Sequence, residues 1–245
     1  MNRQAVNPYL PSWEYIPDGE PHVFNGRVYV YGSHDRFNAP IFCVNDYVCW
    51  SAPVEDLSEW RYEGVIYRKK QDPKNPLGYH LLFAPDVCQG PDGRYYLYYA
   101  FDFLGIMSVA VCDTPAGEYR FLGHIHYADG TLWGRRRGDQ LPFDPGVLAD
   151  DDGRVWLYSG FYNAVPAILT GGHKLRCDGG TVLELEKDMV TIKTEPRVIF
   201  PKKGPGAFQG HEFFEASSIR KEGKTYIFVY SSRHNHELCY ATSQS

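Results

Sequence analysis

"FFEASSIRKEGKTYIFVYSS", residues 213–232, decides how the chain is read. After Gly223 it alternates aromatic and β-branched residues with polar ones, the pattern of a strand leaving a tight turn. Before the turn it carries one acid, Glu215, between two phenylalanines and a run of small polar residues. The same grammar occurs three more times: "HVFNGRVYVYGS" around Gly26, "DVCQGPDGRYYLYYA" around Gly93 and "GVLADDDGRVWLYSG" around Gly153. In each, Asn, Asp or Glu precedes the glycine, Arg or Lys follows it, and an alternating strand comes next. Asn-Gly and Asp-Gly suit tight hairpins because both turn positions accept positive φ.

The four glycines stand 67, 60 and 70 residues apart. A period of that length holds about four short strands, the content of a propeller blade. The outer strands can be placed as well. "YVCWSAPVEDLSEWRYEGVIY" and "SVAVCDTPAGEYRFLGHI" supply them in the first two units, and "GGTVLELEKDMVTIKTEPRVIF" does so in the third. In the fourth, "HELCYATSQS" supplies roughly one strand. The expected fold is an all-β propeller in one domain, 1–245, with blades near 14–70, 80–128, 140–200 and 211–245, the last incomplete. A β-sandwich accounts for isolated hairpins but not for a fourfold recurrence.

Composition narrows the function. Hydrophobic residues make up 43% of the chain, enough for a sizeable core, and aromatics 16%, which suits pleated strands and flat platforms for polar ligands. The net charge of −5 gives no reason to expect nucleic acid or an anionic membrane as a partner. The triplet Arg135–Arg137 reads as a solvated loop. The six cysteines form no metal-finger spacing and several sit in apolar strands as small hydrophobes. No apolar leader is visible in "MNRQAVNPYLPSWEY", and no run is long enough to span a membrane. The expectation is a soluble, cytoplasmic protein from a reducing compartment.

Counting back from each turn glycine finds an acid at nearly the same offset. Asp18 lies eight before Gly26, Asp86 seven before Gly93, Asp144 nine before Gly153 and Glu215 eight before Gly223. The first strand of each blade lines the channel of a propeller, so these acids are expected to converge at one mouth. Pooled carboxylates repel, and folding alone gives no reason to tolerate them. Glycoside hydrolysis does: one carboxyl must donate a proton while the other, ionised, activates water. Phe83, Phe101, Phe161, Phe213 and Phe214 lie close to the acids in sequence and are expected to wall the pocket.

"NPYLPSWEYIPDGEPHVFNGRVYVYGSHD", "FAPDV", "FDPGVLADDDGRVWLY" and "FFEASSIRK" resemble, in order and spacing, the motifs of glycoside hydrolase family 43. The resemblance covers nearly the whole chain. It implies a five-bladed propeller, of which about four blades are present here, and an inverting hydrolase acting on xylosides and arabinofuranosides. By position it implies Asp18 as general base, Asp144 as the acid that tunes and orients its neighbour, and Glu215 as general acid. Glu20, which precedes Pro21, is the rival to Asp18, and Glu212 the competitor of Glu215. Asp86 matches a position kept for binding or architecture. The expected substrate contacts are His34, Phe83, Asp86, Phe101, Phe161 and Arg233. His34 and Asp35, which end an inner strand in "GSHD", either meet substrate or brace the ring. No cofactor is required; a structural calcium on the axis is the one metal the family suggests. His211, His234 and His236 lack a metal-ligand spacing, and Asp150–Asp152 read as a hairpin tip rather than a calcium loop.

The leading expectation is an exo-acting enzyme that releases xylose or arabinose from xylo- or arabino-oligosaccharides, with catalytic carboxyls roughly 6.5–9.5 Å apart. The alternatives are a sugar-binding propeller without catalysis and a protein-interaction scaffold, which would scatter its acids over the rim. An open blade edge is also expected to allow pairing with another copy.

Overall fold

The computed structural model describes residues 7–203, 208–234 and 236–245. Residues 1–6, the start of the stretch read above for a leader, lie outside the described residues. The only helical element among them is a single 3-10 turn, Lys69–Gln71. Among the described residues no helix is long and apolar enough to cross a membrane. Everything else regular is strand, in four antiparallel sheets that each follow chain order.

The first sheet is β1 (Glu20–Phe24), β2 (Arg27–Tyr31), β3 (Tyr47–Pro53) and β4 (Arg61–Tyr67). The second is β5 (Asp86–Gln89), β6 (Tyr95–Ala100), β7 (Met107–Cys112) and β8 (Arg120–His124). The third is β9 (Gly146–Ala149), β10 (Val155–Ser159), β11 (Gly179–Leu185) and β12 (Arg197–Pro201). The fourth has three strands, β13 (Phe213–Glu222), β14 (Thr225–Ser232) and β15 (Leu238–Ser243). These are four propeller blades, and each outer strand falls where the sequence placed it. β15 is an edge strand that leaves Leu238 and Tyr240 exposed.

Packing between blades explains why β6 is buried along its whole length. Alternate side chains point to opposite faces of a strand. Tyr95, Leu97 and Tyr99 therefore join the core shared with the first blade, and Tyr96 and Tyr98 the core shared with the third. A third cluster, Phe200, Phe213, Ile219, Phe228 and Tyr230, holds the third and fourth blades together. All six cysteines are unpaired, and all but Cys239 are buried, in keeping with their reading as small hydrophobes.

The hairpins differ in one respect that matters for the site. Phe24 pairs with Arg27 across a two-residue turn, in which Asn25 and Gly26 both take positive φ. In the second and third blades the turns are a residue longer: Gly90 N–H donates to Arg94 O, and Asp150 N–H to Arg154 O. Gly93 and Gly153 sit at the left-handed position of those loops.

Candidate active site

Strand register ranks the inner-strand residues into rungs. Two steps beyond the Glu20↔Tyr31 pair of the first hairpin stand Asp18 and Ser33, joined by a bond from Ser33 Oγ to Asp18 Oδ2 of 2.8 Å. Two steps beyond Gly146↔Tyr158 stand Asp144 and Gly160. In the fourth blade Glu215 pairs with Ser231, and it reaches this rung only through irregularities on either side, between Phe213 and Glu215 and between Glu215 and Ser218. Extra residues of this kind re-aim a strand's side chains. Asp18, Asp144 and Ala216 take φ values of 56°, 47° and 62°. Left-handed backbone is unusual for alanine, and strain of this sort gathers at functional sites.

On the same rung the second blade carries Ala84, and Asp86 lies one rung deeper. Its offset of seven from Gly93 looked equivalent to the nine of Asp144 from Gly153, but the two hairpins have the same turn length. A difference of two along a strand keeps the face and changes the level. Asp86 is fully buried, and both its oxygens are engaged. Oδ1 meets His22 Nε2 at 2.5 Å and accepts from Val87 N–H at 2.7 Å, while Oδ2 accepts from Val147 N–H at 2.6 Å. It ties three blades together and is not among the residues that line the cavity described below. Glu20, on the same deeper rung, accepts from Ser218 Oγ at 2.7 Å and pairs with Arg220, outside the cavity that Asp18 lines.

Asp18, Asp144 and Glu215 line one cavity of about 430 Å³ with Asp35, Cys43 and His236. Rings wall it: Phe42, Phe83, Phe103, Phe143, Phe161 and Phe214. Their centroids form a belt, Phe42 to Phe83 at 5.4 Å, Phe83 to Phe143 at 5.7 Å, Phe143 to Phe161 at 4.7 Å and Phe161 to Phe214 at 5.5 Å. No Lys or Arg is among the described lining residues.

The electrostatics follow from this enclosure. Burial, then the charge of Asp18, pushes the Glu215 carboxyl up from 4.5 to about 7. Burial and the charges of Glu215 and Asp18 hold Asp144 well above the carboxylate range, opposed by a bond from Ala216 N–H to its Oδ2 of 3.1 Å. His236 Nδ1 stands 3.8 Å from Glu215 Oε1. One carboxyl that holds a proton near neutrality beside another braced by a serine hydroxyl is a pairing capable of general acid and base work.

Four expected contacts lie elsewhere. Phe101 is fully buried in the core between the first two blades, beside Tyr99. His34 is held by Glu14 Oε1 at 2.9 Å and by Asp46 O at 2.9 Å, bracing the first blade. Arg233 stands 3.9 Å from Glu212 Oε2 and lies over the Tyr162 ring, away from the cavity lining. Asp86 is the fourth. Phe213 turns into the core while its neighbour Phe214 faces the cavity, as strand alternation requires. Phe42, Phe103, Phe143 and Cys43 belong to connecting loops or strand approaches, whose side chains no periodic pattern marks, while Asp35 of "GSHD" does line the cavity.

The axial donors Glu20, His22 and Asp86 lie close enough to share an ion. They do not suit calcium, which takes six to eight oxygen ligands. Arg220 already supplies a positive charge there, paired with Glu20 and 3.5 Å from His22 Nε2, and Asp86 is saturated.

A propeller whose inner strands converge three carboxylates on one ring-walled pocket is built as a carbohydrate-active enzyme fold. The sequence model for glycosyl hydrolases family 43 matches residues 17–245, and the chain belongs to that family. It is 61% identical over 248 residues to a xylosidase/arabinosidase of Thermoclostridium stercorarium, covering 100% of this chain and 50% of the relative. It is 31% identical to a xylosidase/arabinosidase of Bacteroides ovatus, over 97% of this chain and 76% of the relative. The chain thus spans half the length of the first relative. Among solved structures it resembles CoXyl43, a β-xylosidase/α-arabinofuranosidase from a compost microbial metagenome solved with xylotriose in a calcium-free form. That match has a TM-score of 0.72 at 26% identity, over 99% of this chain and 77% of that one. RS223-β-xylosidase matches at a TM-score of 0.71 and 25% identity, over 95% and 75% of the two chains.

Proposed function

We propose that this chain carries the active site of an inverting glycosidase that removes terminal xylosyl or arabinofuranosyl residues from oligosaccharides. Glu215 is the general acid, kept protonated by burial and the Asp18 charge, Asp18 the general base that activates water, and Asp144 the neighbouring acid that orients Glu215 by fixing the backbone beside it. One observation carries the reading: Asp18, Asp144 and Glu215, from three different blades, line a single ring-walled cavity in which Glu215 titrates near neutrality. A general acid must be protonated at working pH, and burial beside a second carboxylate supports that. The xylosidase and arabinosidase names of the relatives support a pentose as the sugar. A xylo- or arabino-oligosaccharide is the partner this reading requires, and pairing of the exposed β15 edge with another strand is proposed alongside it.

The test is turnover of an aryl xyloside and an aryl arabinofuranoside by wild type and Glu215→Gln, with the released anomer followed by NMR. Wild type should release the inverted anomer and the variant should be inactive while still folded. Equal turnover by the two proteins, or a retained anomer, would reject the assignment.

A further inference from the structure

We infer that Asp35 is a substrate-binding residue that accepts hydrogen bonds from hydroxyls of the bound sugar and sets which sugar the site prefers. The inference rests on the glycosidase reading of the cavity. Asp35 lines that cavity from the loop joining β2 to β3, on a different segment from the three acids of the inner rung. Its backbone is pinned on both sides: its N–H donates to Tyr15 O at 3.0 Å, and its carbonyl accepts from Asn45 Nδ2 at 2.8 Å. Oδ1 accepts from Cys43 N–H at 2.5 Å, which fixes the plane of the carboxylate. Oδ2 has no hydrogen-bond or ion-pair partner among the described residues. The side chain is half-buried.

A loop cap explains Oδ1 but not the charge. Asparagine would cap Cys43 N–H equally well through its own carbonyl oxygen, without adding a fourth carboxylate to a cavity that holds three and lacks Lys or Arg in its lining. A pinned anionic oxygen facing a pocket is a preorganised acceptor, and sugar hydroxyls are donors that match it. The neighbouring His34 spends both ring nitrogens on Glu14 and Asp46. The two residues of "GSHD" thereby divide the roles, one bracing the blade and the other facing the ligand.

The experiment is calorimetric titration of wild type, Asp35→Asn and Asp35→Ser with xylose, arabinose and their mono-deoxy analogues, with thermal unfolding measured alongside. Asp35→Asn keeps the cap and removes the acceptor charge. It should fold with an unchanged Tm and bind the preferred sugar about ten- to a hundredfold more weakly, the scale of a hydrogen bond to a charged group. One mono-deoxy sugar should bind wild type and variant equally, because it lacks the hydroxyl that Asp35 receives. Asp35→Ser should weaken binding of the same sugar if the asparagine variant fails to fold. If wild type binds and both folded variants bind as tightly, the Asp35 assignment is wrong and the glycosidase reading stands. If wild type binds neither sugar and turns over no pentoside, the reading itself fails and takes the assignment with it.

Discussion

The N–H of Ala216 donates to Asp144 Oδ2 across 3.1 Å, locking the backbone beside Glu215 to the neighbouring blade. Ala216 holds a left-handed φ of 62° to make that bond, and Asp144 is buried next to two other carboxylates to accept it. Both features cost stability, and neither is needed to close a propeller.

Asp144→Asn separates these effects. The amide oxygen still accepts from Ala216, while burial and the Asp18 charge, which hold the Glu215 proton, are left in place. Turnover should stay within about tenfold of wild type with its alkaline limb unmoved, whereas Asp144→Ala, which loses the bond to the backbone beside Glu215, should cost about a hundredfold or more. The Tm of Asp144→Asn should hold or rise, since a buried titratable carboxyl beside two others is replaced by a neutral group of the same shape. An Asp144→Asn variant as inactive as Asp144→Ala would contradict this role.

The pH dependence of stability has a definite sign. The Glu215 carboxyl titrates near 7 in the folded chain against an ordinary value of 4.5. Between those values the native state binds more protons than the unfolded state, so this stabilisation is complete below about 4.5 and is lost as pH rises through about 7. Asp144 and Glu20 are raised too and act in the same direction. The lowered carboxyls, such as Asp72 and Asp150, titrate below 3.8 and leave that window to the raised ones. Thermal unfolding should therefore show a lower Tm at pH 8 than at pH 5, and Glu215→Gln should flatten the slope. For turnover, kcat/KM should decline above about pH 7 as the acid deprotonates.

Ser33 is fully buried, and its hydroxyl holds one oxygen of Asp18. Ser33→Ala should lower kcat by about tenfold with little change in KM, because the proposed base loses its orientation rather than its charge. Steady-state kinetics on an aryl pentoside measures the split.

The blades were legible because each hairpin repeats one local rule: a glycine with positive φ, a cation, and a strand of rings. Aromatic strands such as β6 are buried on both faces by neighbouring blades, so the apolar signal was strong. The rung of Asp18, Asp144 and Glu215 was legible for the same reason. Asp86 was misplaced because offsets of seven to nine from the glycine were read as one level, whereas its turn is as long as that of the third blade and the difference of two moves it one rung along the strand. Phe101 and Phe83 looked alike in sequence, yet one fills the core and the other walls the cavity. Loop residues such as Phe42 and Phe103 carry no period, so only the folded chain brings them to the site; the "GSHD" stretch offered both His34 and Asp35, and only the folded chain separates the brace from the residue that lines the cavity.

Asp86 now supports the last prediction, which distinguishes architecture from chemistry. It accepts from Val87 and Val147 and meets His22, so its removal leaves a buried N–H from the third blade and a histidine from the first without partners. Breaking a buried, hydrogen-bonded charge typically costs about 3–5 kcal/mol. Asp86→Ala should therefore lower the unfolding free energy by an amount of that order, read as a lower denaturant midpoint at unchanged m. Asp86→Asn should do less harm, since one amide oxygen can still accept while the other site turns from acceptor to donor. The residue lies below the rung of Asp18, Asp144 and Glu215, the proposed catalytic groups, so whatever fraction remains folded should turn over substrate with an unchanged KM and pH profile. Chemical unfolding followed by kinetics at a permissive temperature checks both halves. A variant as stable as wild type but with a raised KM would return Asp86 to the substrate.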